Sequence, residues 1–239
     1  MFKYKVVLLG NSGVGKSNIC IRLMNNNFNI SENSTIGAQF FCYKIMIKDK
    51  DFFLQIWDTA GHERFKSLLP LYLRHSMIII LVIDVSINIE SQLESWMSYI
   101  NINQHFFDKN HTIIIIFNKI DLLTTSDIGK LNLQKVPSIN DIHEKYNIDS
   151  NNILKISCKT NFGFIELKNC LIYNTQKIYD ILINNTENYQ NFLLNNTQNI
   201  VLNESESTKS TNSESTKSTK SLLDFIPKIN ILKDNCYKF

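Results

Sequence analysis

At 239 residues with a formal net charge of +3, the chain has room for one domain with a tail or two small domains, and its charge is too balanced for a broad nucleic-acid or membrane-surface footprint. Its five cysteines, Cys20, Cys42, Cys158, Cys170 and Cys236, are scattered and form no Cys-x-x-Cys pair, which excludes a disulfide framework or zinc finger and fits a reducing compartment. The longest apolar runs, Met77 to Ile83 and Ile113 to Phe117, are too short to span a bilayer; no apolar signal segment opens the chain, and Phe2 in place of glycine excludes N-myristoylation.

Taken in order, Lys3 to Leu9 reads as a buried strand that enters Gly10-Asn11-Ser12-Gly13-Val14-Gly15-Lys16-Ser17, followed by a helix to about Met24. Glycines at these spacings let successive backbone N–H groups turn toward an anion, the helix start adds its positive dipole end, Lys16 supplies a mobile charge and Ser17 is placed for a magnesium ion. Asn25-Asn26-Asn27 ends the helix, and a loop from Phe28 to Gly37 precedes a hairpin of strands Phe40 to Lys48 and Asp51 to Trp57, with its turn at Asp49-Lys50. Met77 to Val85 is a buried strand. Asn88 to Ile102 carries Leu93, Trp96, Met97 and Ile100 on one helical face. Strand Thr112 to Phe117, a variable stretch from Leu122 to Pro137, a short helix from Ile139 to Tyr146, strand Ile153 to Ser157 and an amphipathic helix from Phe164 to Ile183 complete the regular part.

This alternation predicts an α/β fold with a mostly parallel sheet covered on both faces, and its ligand beyond the carboxyl ends of the strands. Asn118-Lys119-Ile120-Asp121 follows one such strand. A carboxylate at Asp121 can accept two parallel hydrogen bonds from guanine N1–H and N2–H₂, donors that adenine lacks, while Asn118 addresses another edge and the Lys119 stem covers the ring. Ser157-Cys158-Lys159 completes the base site. Asp58, in Trp57-Asp58-Thr59-Ala60-Gly61, suits a magnesium-bound water, Gly61 N–H can approach a terminal phosphate, and the Thr35 hydroxyl can join the same ion. Two loops held only while a terminal phosphate is present make a switch.

GNSGVGKS at Gly10, STIGAQF at Ser34, WDTAGHERF at Trp57, NKID at Asn118 and SCK at Ser157 resemble, in that order, the small GTPases of the Ras superfamily, and within them the Rab branch. The resemblance covers about residues 3–183 and implies a phosphate-loop G domain: six strands, mostly parallel with one antiparallel hairpin, and about five helices. It implies GTP or GDP with Mg²⁺, bound by Gly10, Ser12, Gly13, Val14, Gly15, Lys16, Ser17, Asn18, Phe28, Thr35, Asp58, Gly61, Asn118, Lys119, Asp121, Ser157, Cys158 and Lys159, the metal being held by Ser17, Thr35 and, through water, Asp58. Phe40, Trp57 and Tyr72 match the aromatic triad that Rabs present to effectors. The implied partners are an exchange factor, a GTPase-activating protein, escort protein or GDI, and effectors, for a monomer acting in vesicle trafficking. STIGAQF resembles endosomal Rabs and FKSLLPLYLRHS, from Phe65, the Golgi-retrograde ones. Lys16, Thr35, Gly61 and residue 62 form the implied catalytic set, but the family's glutamine is here His62, which predicts slow hydrolysis.

Beyond Ile183 the chain turns polar, and residues 184–221 read as a disordered linker containing the tandem SESTKSTN and SESTKSTK from Ser205. Residues 222–239 read as a variable tail with Cys236 four from its end, resembling a prenylation signal that would tether the protein to the cytosolic face of Golgi or endosomal membranes. The six lysines and six acids beyond Asn184 form no polybasic patch to assist a single lipid.

Overall fold

The computed structural model describes residues 2–30, 33–123 and 136–207, with side chains through Asn188. The variable stretch at 124–135, the second repeat, the tail and Cys236 lie outside the described residues. Six strands form one sheet in the order β2-β3-β1-β4-β5-β6. They are β1 (Phe2–Leu9), β2 (Ala38–Ile47), β3 (Lys50–Thr59), β4 (Ile78–Asp84), β5 (Thr112–Asn118) and β6 (Ile153–Lys155). Only the β2–β3 pair is antiparallel; β1 with β3, β1 with β4, β4 with β5 and β5 with β6 are parallel. Every residue of β4 is buried, as a central parallel strand covered on both faces must be.

Among the described residues four α-helices connect the strands, α1 (Lys16–Asn25), α2 (Leu69–Leu73), α3 (Ile89–Asn103) and α4 (Ile139–Tyr146), and α5 (Phe164–Ser207) follows the last one. One core packs Val7, Leu9, Ile79, Leu81, Ile83, Ile115 and Phe117 against Leu93, Trp96, Met97 and Ile100 of α3, so the helical spacing read from the sequence marks the buried face. The alternate residues Val6, Leu8, Ile80, Val82, Ile114 and Ile116 are also buried, on the opposite face of the sheet. α3 is capped by Asn88, whose side chain accepts from Ser91 N–H, and α4 starts in a capping box of Ser138 and Asp141.

Three local expectations shift. The hairpin turn is Lys48-Asp49, one residue earlier than expected, because both residues take positive φ (47° and 60°) and Ile47 pairs with Lys50. That is the twist-matched two-residue connection of an antiparallel pair. The short α2, preceded by a 3₁₀ turn at Glu63–Leu68, had no recognisable period, being one turn long with Pro70 at its start. The last helix does not stop at Ile183 but runs to Ser207. Neither glycine nor proline occurs between Gly163 and Pro227, and the Asn-rich composition that suggested a linker carries only a weak penalty per residue in a helix. Packing divides the chain into two units, residues 1–178 and 179–239.

At the far end of the sheet from the loops that follow β1, β3 and β5, three buried or half-buried polar side chains close a ring. Thr112 Oγ1 donates to Asn174 Oδ1 (3.2 Å), Asn174 Nδ2 donates to Asn152 Oδ1 (2.7 Å), and Asn152 Nδ2 donates to Thr112 Oγ1 (3.0 Å). Each member satisfies the next, so α5 docks on β5 in one register. Asn174→Leu takes one partner each from Thr112 Oγ1 and Asn152 Oδ1 and is expected to cost about 1–3 kcal/mol of unfolding free energy, read as a lower urea midpoint with an unchanged denaturant slope.

Candidate functional site

The carboxyl ends of β1, β3 and β5 and the segment after β6 converge on a cavity of about 370 Å³. Ser12, Gly13, Gly15, Lys16, Ser17, Asn18, Phe28, Thr35, Gly61, Asn118, Lys119, Asp121, Cys158 and Lys159, all expected site residues, line it. Gly10, Val14, Asp58 and Ser157 are buried behind this wall. Motifs separated by up to 149 residues of sequence thus reach one site, because parallel strands deliver their ends to the same edge.

At the phosphate end, Lys16 begins α1 and its Nζ donates to the carbonyls of Gly10 (2.9 Å) and Asn11 (2.8 Å). Burial pulls this ammonium down to about 8, against the opposing pull of the Asp58 carboxylate. A buried cation whose hydrogen bonds go to neutral carbonyls is a fit for a polyanion. Gly61 closes over it: a Cβ there would stand 2.5 Å from Lys16 Nζ and 2.4 Å from the Asn11 carbonyl, so no side chain fits. Beside them, Ser17 Oγ donates to Asp58 Oδ2 (2.6 Å) and lies 3.1 Å from Thr35 Oγ1, which itself donates to Asp58 Oδ2 (3.3 Å). Two hydroxyls and one carboxylate are the hard oxygen donors that suit Mg²⁺. Among the described residues no group of three His, Cys, Asp or Glu could hold a metal, so an ion here would draw its remaining ligands from phosphate and water.

At the other end, Ser157 Oγ donates to Asp121 Oδ1 and so fixes the carboxylate that sequence reasoning assigned to guanine. Asn118, expected to address the base, lines the cavity, and its amide also links two loops, Nδ2 donating to Val14 O (2.8 Å) and Oδ1 accepting from Cys158 N–H (3.2 Å). Gly15 is required by that link, since a Cβ there would meet Asn118 Nδ2 at 2.3 Å. Lys119 takes positive φ (67°) and its ammonium pairs with the buried Asp84 at 2.6 Å, which leaves its stem along the cavity. Asn18 holds the loop carrying Phe28: its amide donates to Asn29 O (3.0 Å) and accepts from Asn29 N–H (2.9 Å).

Arg22 escaped sequence reasoning. From α1 its guanidinium donates to Cys158 O through Nε (3.1 Å) and Nη2 (2.7 Å), to Lys159 O (3.2 Å) and to Asn26 O (2.8 Å), clamping the base loop onto the helix. A single arginine in an amphipathic helix carries no motif; only the fold reveals its target. Asp84 was similarly silent, although an acid ending an apolar strand is a usable signal.

His62 lies outside the main cavity. It is exposed and caps the 3₁₀ turn, its Nδ1 accepting from Arg64 N–H at 3.4 Å, and it borders a smaller cavity of about 70 Å³ with Asn11, Lys66 and Trp96. The aromatic triad does assemble: Phe40 meets Trp57 edge-on at 5.4 Å between ring centres and Trp57 meets Tyr72 at 5.6 Å, with Phe40 46% exposed.

A family model described as the Ras family matches residues 5–188. The chain is 38% identical over 122 residues to Ras-related protein rab-11.1 of Caenorhabditis elegans, a match covering 51% of this chain and 56% of that protein. It is 32% identical over 154 residues to GTP-binding protein ypt3 of Schizosaccharomyces pombe, covering 64% of this chain and 71% of the relative. With rab-11.1 the match therefore spans little more than half of the relative's length.

Cys158 lines the cavity, whereas Cys20 and Cys170 are buried away from its wall. Burial pushes the Cys158 thiol up to about 12, outweighing the Asn118 amide and the Arg22 charge that favour the thiolate, and likewise raises Cys20 well above its usual value and Cys170 to about 12. Iodoacetamide at pH 8 on the native protein, followed by peptide mass mapping, is expected to label half-buried Cys42 and to spare Cys20, Cys158 and Cys170 until denaturant is added.

Proposed function

The chain is a Rab-like member of the Ras family, and from that premise we propose that it is a guanine-nucleotide switch which hydrolyses GTP slowly. The observation that carries this reading is the juxtaposition, in one cavity, of the Ser157-held Asp121 carboxylate, the buried Lys16 ammonium and the Ser17, Thr35 and Asp58 oxygens. Asp121 selects guanine, since a base without the two matching donors would leave a carboxylate unpaired, at a cost of several orders of magnitude in affinity. Bound magnesium would neutralise phosphate charge, with Ser17 and Thr35 as ligands and Asp58 reached through water. Lys16 and Gly61 N–H receive the terminal phosphate, and Thr35 and Gly61 hold their loops to it.

Slow turnover follows from residue 62. Efficient hydrolysis needs a side chain that both accepts from and donates to the attacking water, as glutamine does. With Nδ1 of His62 accepting from Arg64 N–H, a neutral imidazole has Nε2–H as its donor and no second acceptor. In this switch reading an activating protein supplies the missing amide in trans; the same observation also favours the alternative of a hydrolysis-impaired, GTP-locked, membrane-tethered binding module.

In its GTP form the Phe40, Trp57 and Tyr72 surface would recruit effectors, and exchange factor, activating protein and escort protein or GDI would govern the cycle. Membership of the Rab-like family supports a role in membrane trafficking, and a prenyl group on Cys236 would hold the protein on the cytosolic face of Golgi or endosomal membranes. No described helix is long and apolar enough to cross a membrane. Intact-mass measurement of the C-terminal peptide from native cells is the check on Cys236.

Nucleotide extracted from the purified protein is expected to be GDP or GTP, and ATP in large excess should not displace it; retention of ATP would overturn the assignment of Asp121. In single-turnover assays His62→Gln is expected to speed hydrolysis by about tenfold or more, equivalent to ~1.4 kcal/mol of barrier, and equal rates would remove the explanation offered for residue 62.

A further inference from the structure

We propose that Trp96 and Asn11 form a positioning pair that sets the phosphate loop for the terminal phosphate of the nucleotide, an inference that rests on the reading of the cavity given above. Trp96, on the core face of α3, is only 5% exposed, and a buried indole N–H requires an acceptor. Its Nε1–H finds Asn11 Oδ1 at 2.8 Å, 85 residues earlier in the chain. Asn11 is the residue whose own carbonyl receives Lys16 Nζ at 2.8 Å and against which Gly61 packs so closely that a Cβ would stand 2.4 Å away.

One peptide therefore borders both groups assigned to the terminal phosphate, Lys16 and Gly61. Left to itself, a loop peptide carrying an exposed side chain can rotate. Tied through that side chain to an indole fixed in the core, its carbonyl keeps one direction, and Lys16 Nζ keeps one place to rest. The Trp96 ring also meets the segment that follows Gly61 and His62: Lys66, in the 3₁₀ turn, lies over the Trp96 ring at 5.4 Å and the Tyr99 ring at 5.2 Å. Groups that support a site from behind in this way govern how well its contacting atoms are aimed. The base contacts at Asp121 and Ser157 lie at the opposite end of the cavity and do not involve this pair. The expected signature is thus selective: losing the pair weakens triphosphate binding more than diphosphate binding.

Trp96→Phe keeps an aromatic ring in the core while removing the N–H and part of the indole. With the full chain and Mg²⁺, dissociation of fluorescent GDP and of a fluorescent non-hydrolysable GTP analogue is measured by displacement. Trp96→Phe is expected to speed release of the triphosphate about fivefold and of GDP less than about twofold. Asn11→Ala, which removes the acceptor and leaves the whole indole in place, should give the same ratio, and the double variant should release the triphosphate no faster than either single one. Equal acceleration of both nucleotides, or additive effects in the double variant, would overturn the proposal and reduce Trp96 to core packing. A wild-type chain that holds no guanine nucleotide would overturn both readings, whereas tight wild-type binding with unchanged ratios in the variants would overturn this one alone.

Discussion

The side-chain amide of Asn118 joins the two halves of the site. It reaches back across 104 residues to Val14 O of the phosphate loop and forward to Cys158 N–H of the base loop, and both bonds are buried. Every other placement follows from having those loops fixed to the end of β5. Gly15 must lack a side chain so that Asn118 can approach; Ser157 can then restrain Asp121; and Arg22 can reach Cys158 O from α1. The amide's donor and acceptor point in opposite directions, and no other uncharged side chain of that size offers both. The two ends of the cavity are thereby mechanically one unit.

The segments around Thr35 and Gly61 have a different character. Ile30 and Ile36 are 86% and 81% exposed, so the loop between α1 and β2 buries little apolar surface near them. Its described attachments near the site are polar: the oxygen cluster of Ser17, Thr35 and Asp58, and Ala60 N–H donating to Gly37 O at 2.8 Å. An element held by a handful of polar contacts has low local stability and can be ordered or released by one ligand, whereas the base end is anchored in the core.

Much of this was legible in the sequence, and for a uniform reason. Residues 10–17, 58–61, 118–121 and 157–159 combine a backbone demand, glycine or a strand end, with a chemical demand, an ammonium or a carboxylate, and such coincidences stand out in a string of letters. The fully apolar β4 and the one-faced α3 declared themselves by period. What stayed hidden depends on three-dimensional partners: Arg22 on the 158 carbonyl, the second use of Asn118, and Trp96 on Asn11. The continuation of α5 to Ser207 was hidden differently, because asparagine is read as a loop former although its helix penalty is small and no breaker intervenes.

The ring of Thr112, Asn152 and Asn174 bears on how the molecule opens. It ties the start of β5 to α5 by three mutually satisfied bonds, while the end of the same strand is tied to the loops that line the cavity. Amide hydrogen exchange along β5 should therefore be graded. Protons near Thr112 exchange only through global unfolding, and those approaching Asn118 exchange through smaller openings of the loops above them. A strand so clamped at its foot lets the domain empty and refill its cavity without losing its fold.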